Sequence, residues 1–390
     1  MRIVFVQYGD YGAAVRNFAQ GGAETYAAQR YSVDFVAGLT RQAEQVSVIC
    51  VDADPYSEQL SNGVRASGMR LYKQATEADL VAAVARERPT HLVSRSPIRP
   101  LIRWGGRNGV RTFPSFATSF PKGSWRTAVR YFQLARLLNS DRFPWIGNHA
   151  INSCRDLERI GVRTSKIVPW DWPPATTPDA FTAKRLDPGR NAIRLFYAGV
   201  IRETKGIGDC IAAIKLLREK GIDASLSVAG SGEVDLFRAR AAECGVSGAV
   251  EFLGRIPHLR VVAMMHEHDV VVVPSQYGYP EGLPLTIYDA YCSRSPLVAS
   301  DHPMFRGRVH DGQSALVFRA GNPVSLAERV EELLRKPELY AQLSQASAAA
   351  WEKLQLPVKW GVLMTKWLEN SPEANAWLAS HSLASGRYDS

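Results

Sequence analysis

Cysteine is scarce in this 390-residue chain, and its five residues (Cys50, Cys154, Cys210, Cys244 and Cys292) lie far apart. An odd number without paired spacing argues against a disulfide framework or a cysteine-ligated zinc site and predicts reduced thiols. Long hydrophobic runs are missing too. The run Val270–Val273, cut by Pro274, is far shorter than the roughly 18 apolar residues of a membrane-spanning helix. The apolar run after Arg2 stops at Gly9-Asp10-Tyr11-Gly12, which predicts a buried strand rather than a signal peptide. No short-period repeat or low-complexity tract is visible. With 46% hydrophobic and 22% charged residues, composition excludes disordered and fibrous classes and predicts two or three globular domains in the cytoplasm.

Acidic residues are also missing from one stretch. Residues 86–136 hold 11 Lys+Arg and a single acid, Glu87. The first 190 residues carry 26 bases against 16 acids (+10), and the remaining 200 carry 21 against 22 (−1). The net charge of +9 therefore sits in one half and predicts an anionic partner for it.

Strand and helix patterns alternate along the whole chain. A strand (Arg2 to Tyr8) precedes a glycine-rich loop ending Gly21-Gly22. A helical pattern from about Ala23 to Arg41 and a strand Gln45 to Val51 follow. This is a βαβ unit, so the sheet is expected to be parallel. The Pro-rich stretch from Trp170 to Gly189 cannot sustain helix or central strand. The alternation then restarts at Ile193. The expected domains are residues 1–172, a linker at 173–192, a second domain at 193–355, and a helical tail at 356–390. The tail, with Trp360, Trp367 and Trp377, is expected to pack back on the first domain.

Two loops between strands and helices carry candidate chemistry. In Pro274-Ser275-Gln276-Tyr277-Gly278-Tyr279-Pro280-Glu281-Gly282-Leu283-Pro284-Leu285-Thr286, a buried strand feeds a helix start. Such a start presents free N–H groups and a positive dipole end, which suits a diphosphate. Glu281 precedes the helix and Asp289 lies about one turn inside it. Both are acceptor-only groups suited to sugar or ribose hydroxyls, or they merely favour the helix N-terminus. The other loop, Gly199-Val200-Ile201-Arg202-Glu203-Thr204-Lys205-Gly206, supplies cations able to stabilise a departing diphosphate. On the alternative reading, Arg202 and Glu203 form a solvated surface pair. Gly230-Ser231-Gly232 lacks the third glycine of a dinucleotide fingerprint. His149, His258 and His302 show no metal pattern and read as packing or surface residues; Trp170 and Trp172 read as linker packing.

Taken in order, these segments resemble the retaining nucleotide-sugar glycosyltransferases of family 4. The matching pieces are Gly21-Gly22-Ala23-Glu24, Gly199 through Gly206, Val228 to Gly232, Val250 to Arg255, and Pro274 through Asp289 in place of a Glu-x7-Glu motif. The resemblance implies an α/β protein of GT-B architecture, with two doubly wound Rossmann-like domains facing each other across a cleft. It also implies residue roles. Glu281 would contact the donor sugar, Asp289 the ribose, and Lys205 with Arg202 the diphosphate. The backbone of Gly282, Leu283, Pro284, Leu285 and Thr286 would complete the phosphate cradle together with Gly199 and Gly230. Gly21 and Gly22 would close over it, and Arg255 would border the base. No cofactor or metal is expected beyond a UDP- or GDP-sugar substrate. Three departures stand out: Asp289 replaces the second Glu, Val200 stands where an Arg is usual, and the strand-like segment 111–119 lacks a His.

The basic segment is interleaved with aromatics. A helix over Ser124–Leu138 puts Trp125, Val129 and Phe132 on one side and Arg126, Arg130 and Gln133 on another. Trp125, Arg126 and Arg130 are therefore candidates for contact with a membrane or acceptor. The other reading of this helix is a core element with an ordinary solvated face. The leading expectation is a metal-independent retaining transferase building a surface or exopolysaccharide on a glycan or polyprenyl-linked acceptor. It would work in the cytoplasm, peripheral on the inner face of the plasma membrane. Alternatives are a non-catalytic binding subunit of the same architecture, a basic nucleic-acid-binding protein without a visible reading motif, and a nucleotide-sugar epimerase.

Overall fold

The strands of the first half alternate between two buried faces. Ile3 and Phe5 join one apolar cluster, while Val4 and Val6 join another. Side chains of period two, apolar on both sides, are what a sheet covered by helices on each face requires. The computed structural model describes residues 1–388, so the last two positions of the expected tail lie outside the described residues. It divides into two units. One comprises Met1–Glu24, Ala28–Pro173 and the chain from Leu356 on; the other is Pro174–Gln355 with Thr25–Ala27.

In the first unit the strands are β1 (Arg2–Gln7), β2 (Gln45–Cys50), β3 (Tyr56–Gln59), β4 (Arg65–Gly68), β5 (His91–Ser94), β6 (Arg111–Phe116), β7 (Ile146–His149) and β8 (Ile167–Trp170). They form one sheet in the order β3-β4-β2-β1-β5-β6-β7-β8. Pairing is parallel except at the β3–β4 edge, where it is antiparallel. That short hairpin departs from the all-parallel expectation. Its five-residue connection is too short for a parallel crossover.

The second unit contains β9 (Ala192–Ala198), β10 (Asp223–Ala229), β11 (Val250–Gly254), β12 (Val270–Val273), β13 (Leu297–Ser300) and β14 (Leu316–Phe318). All pair in parallel, in the order β11-β10-β9-β12-β13-β14. Parallel order places every strand's C-terminal end, and the loop that follows, along one edge of the sheet.

The segment from Leu356 on is built into the first unit. Trp360, Leu363, Met364 and Trp367 share a core cluster with Phe5 and Phe113. The Trp360 ring lies 5.2 Å from that of Phe35, and the Trp367 ring stacks 5.2 Å from Phe113. The Arg111 guanidinium donates to the carbonyls of Trp367 and Leu368.

Two local expectations are corrected. The helix expected over Ala23–Arg41 is shortened to Gln29–Gly38, and the stretch expected as a glycine-rich loop holds a further helix, Tyr11–Ala19. Asp10 caps the first by accepting from the Ala13 N–H at 3.0 Å, a start signal that outweighs the flanking glycines. Gly21 and Gly22 follow its last turn; Gly22 N–H donates to Asn17 O at 2.8 Å, and Gly21 takes φ +78°. Here the glycines stop a helix rather than end a loop that runs from the strand.

The stretch 173–192 is not a free linker either, since all but its first residue belong to the second unit. Leu186 enters the core there, and the Lys184 ammonium donates to the carbonyls of His268 and Met265 and to Ser295 Oγ. Burial pushes that ammonium down to about 7. Proline content excluded regular structure but left these anchoring side chains free to dock.

Candidate functional site

At the C-terminal edge of the second sheet, three loops lie backbone against backbone. Gly199 N–H donates to Ala229 O at 3.0 Å, Ile201 N–H to Ser231 O at 2.9 Å, and Gly230 N–H to Gly254 O at 2.8 Å. A Cβ on Gly230 would stand 1.8 Å from Gly199 O, so no other residue fits without moving a strand end. Gly206 has φ +80°, and a Cβ there would lie 2.1 Å from Pro274 O. This contact seats the Lys205 turn against the end of β12.

The two motif loops meet through side chains. Lys205 Nζ pairs directly with Glu281 Oε1 and lies 4.6 Å from the centre of the Tyr279 ring. Ser275 Oγ donates to the same Glu281 oxygen at 2.6 Å. Glu281 is buried, at 7% exposure, and a buried carboxylate is tolerated only when paired and hydrogen-bonded in this way.

The loop carrying Glu281 is itself pinned. Gln276 N–H donates to Thr204 O, and its side chain donates to Asp209 at 2.9 Å. Tyr277 OH donates to Asp301 at 2.7 Å, Ser300 Oγ to Ser275 O at 2.6 Å, and His302 Nε2 stands 3.2 Å from Tyr279 O. Burial lowers the His302 imidazole below its usual range. A neutral ring donating to a carbonyl fits that position. Burial also raises the Tyr279 phenol, with the Glu281 charge adding to it.

The following helix, Leu285–Cys292, starts at Pro284 without a side-chain cap. Its first-turn Thr286 Oγ1 donates to Ala198 O at 3.2 Å, which ties the helix start to the end of β9. First-turn N–H groups thereby stand at the same strand ends as Lys205, and such groups favour an anion. Leu283 is buried at 4% exposure and anchors the loop.

Asp289 takes a different partner from Glu281. Both its oxygens lie 3.1 Å from His258 Nε2. The residues brought together are thus Lys205, Glu281 and Ser275 on one side, and Asp289 and His258 on the other. His258 and His302 are buried, as the packing reading expects, and each also hydrogen-bonds a residue or loop beside Glu281 or Asp289. His302 carried a signal, standing just after a parallel strand. His258 had none, being 31 positions from its carboxylate.

The Arg202 side chain is exposed and forms no ion pair among the described residues. Glu203 pairs with Arg240 instead, so the expected Arg202–Glu203 surface pair does not form. Arg255 Nε donates to Ser231 Oγ at 2.9 Å. Gly21 and Gly22 lie in the first unit. There the helix Trp125–Leu138 turns its aromatic side outward. Trp125 is 72% exposed, Val129 45% and Phe132 65%, while Leu134, Ala135 and Leu138 are buried. The core-helix reading of that side is thereby corrected. Among the described residues no three or more His, Cys, Asp or Glu side chains gather as a metal ligand set.

Two doubly wound parallel sheets with this loop edge define the class: the fold is GT-B, the two-domain architecture of glycosyltransferases. HepE of Anabaena, solved in complex with UDP and glucose, superposes with a TM-score of 0.65 at 13% identity, over 95% of this chain and 100% of that one. More particularly, residues 181–349 match the family model described as glycosyl transferases group 1. Over 186 residues the chain is 29% identical to the glycogen synthase of Mycobacterium tuberculosis, covering 47% of this chain and 43% of that protein. It is 30% identical over 156 residues to the alpha-D-kanosaminyltransferase of Streptomyces kanamyceticus, covering 40% of this chain and 39% of that protein. The matched stretch thus spans less than half the length of these relatives.

Proposed function

We propose that this protein is a retaining glycosyltransferase that takes a nucleoside-diphosphate sugar on its second unit and passes the sugar to a glycan or lipid-linked acceptor. The observation that carries the reading is the buried Lys205–Glu281–Ser275 cluster beside an uncapped helix start. A leaving diphosphate gathers negative charge as the sugar bond breaks. Lys205, the exposed Arg202 and the first-turn N–H groups would stabilise that charge without a metal ion. Glu281, fixed by two donors, keeps lone pairs for the donor sugar's hydroxyls. The acceptor hydroxyl would attack on the face the diphosphate leaves, and a diphosphate oxygen would take its proton. No protein nucleophile is required; positioning supplies the rate. The family match and the nucleotide complex of HepE support a nucleotide-sugar donor.

The outward aromatic side of helix Trp125–Leu138, flanked by Arg126 and Arg130, supports a role for the first unit at an anionic membrane surface. There aromatic rings enter the headgroup boundary and arginines meet phosphates. This suits a lipid-linked acceptor and an enzyme peripheral to the inner leaflet.

Thermal shift against UDP, GDP, ADP and their sugars, with chelator present, tests the reading. One nucleotide family is expected to raise the melting temperature, and Lys205→Ala to abolish both that shift and sugar transfer while the circular dichroism spectrum stays unchanged. A full shift in the Lys205→Ala protein would remove the diphosphate assignment. A strict need for Mg²⁺ would remove the metal-free mechanism.

A further inference from the structure

Asp289 sits on the inner half of helix Leu285–Cys292, with its side chain 16% exposed. Its partner His258 is the first residue of helix His258–Glu267 and is 6% exposed. A single ring nitrogen equidistant from both carboxylate oxygens, 3.1 Å each, holds the carboxylate facing the start of the neighbouring helix. Two oxygens offer about four acceptor sites. One bifurcated donor therefore leaves acceptor capacity on the outer side, already oriented.

Aspartate is one methylene shorter than glutamate, so this carboxylate stays close to its own helix, within reach of the neighbouring helix start. An unrestrained carboxylate would lose rotational freedom on meeting a ligand, whereas one held in advance does not. We propose that His258 is a positioning residue that pre-orients Asp289 to accept the two ribose hydroxyls of the nucleotide. The inference rests on the nucleotide-sugar reading above and adds to it the residue that makes the shorter acid effective.

The test compares affinities by calorimetry for UDP, GDP and ADP and for the 2′,3′-dideoxy form of each. The wild-type protein is expected to prefer the hydroxylated form of its nucleotide by about tenfold or more, as for hydrogen bonds to a charged acceptor. His258→Leu keeps apolar volume but has no donor, and is expected to bring the preference down to about twofold while affinity for the dideoxy form holds. His258→Gln, which retains an N–H donor, is expected to recover much of the preference. Asp289→Ala should match His258→Leu, with the double variant no worse than either single one.

A merely structural His258 would weaken both forms equally, and that result overturns the proposal. So does an unchanged preference in His258→Leu and His258→Gln alike. A wild-type protein that binds a nucleotide but ignores its hydroxyls also overturns it, leaving the nucleotide-sugar reading intact. Binding of no nucleotide overturns both.

Discussion

The two units share one strand-and-helix alternation but treat the ends of their strands differently. In the second unit, glycines bring loop backbones into contact, and polar side chains pair at the strand ends: Lys205 with Glu281, His258 with Asp289. In the first unit the chain's own aromatic groups occupy the corresponding ground. The Arg95 guanidinium lies 5.3 Å from the Trp172 ring centre and 5.2 Å from that of Trp360. His149 Nε2 stands 3.1 Å from Asp171 Oδ1, with both residues buried. Similar topology thus yields a polar loop edge where backbone is bared and a packed one where a terminal segment returns to cover it. Fold and site are separable properties.

The largest effect is expected from Trp360→Ala. Trp360 is fully buried and touches Phe5, Phe35 and Trp172. Its removal is expected to cost about 3–5 kcal/mol, read as an earlier denaturant transition of the first unit. Nucleotide-induced stabilisation of the second unit should persist. Loss of nucleotide binding with unchanged stability would invert the roles assigned to the two units.

A smaller effect is expected at the outward helix of the first unit. Replacing Arg126 and Arg130 by alanine should weaken binding to phosphatidylserine vesicles by about thirtyfold, at about 1 kcal/mol per basic residue near such a surface. Flotation at several salt concentrations measures it. Equal binding to neutral vesicles would remove the electrostatic argument.

A third effect concerns pH. Burial, with the Arg111 charge adding to it, pushes the His91 imidazole down from 6.5 to about 4. The unfolded chain therefore binds more protons than the folded one between those values. The associated stability is complete above about pH 6.5 and lost as pH falls towards 4. His91→Gln should flatten that part of the acid limb in equilibrium unfolding. An unchanged limb would mean that other groups control it.

Much of this was legible beforehand, because β9, β10, β11 and β12 of the second unit are short runs that end at a glycine or a proline. Helix Ile207–Glu219 ends just before Gly221, a residue suited to a helix stop. The pairing of Lys205 with Glu281 was implied by two loops that both follow parallel strands, since such loops share one edge. The first unit was harder to read. The helix Tyr11–Ala19, capped by Asp10, fills a stretch whose glycines at 21 and 22 pointed to a loop. His258 lacked any local mark. Its contact with Asp289 exists only because β11 leads the chain to a helix start beside Leu285–Cys292.

What the sequence alone determined is the alternation, the glycine-bared loops and the uneven charge. Each follows from local chemistry: periodicity, absent Cβ atoms, and a run of arginines without acids. Tertiary structure alone decided which acid meets which base, which face of helix Trp125–Leu138 stays wet, and that Trp360 closes the first unit's core. These depend on distances between residues far apart in the chain, set by packing and burial rather than by any neighbour in sequence.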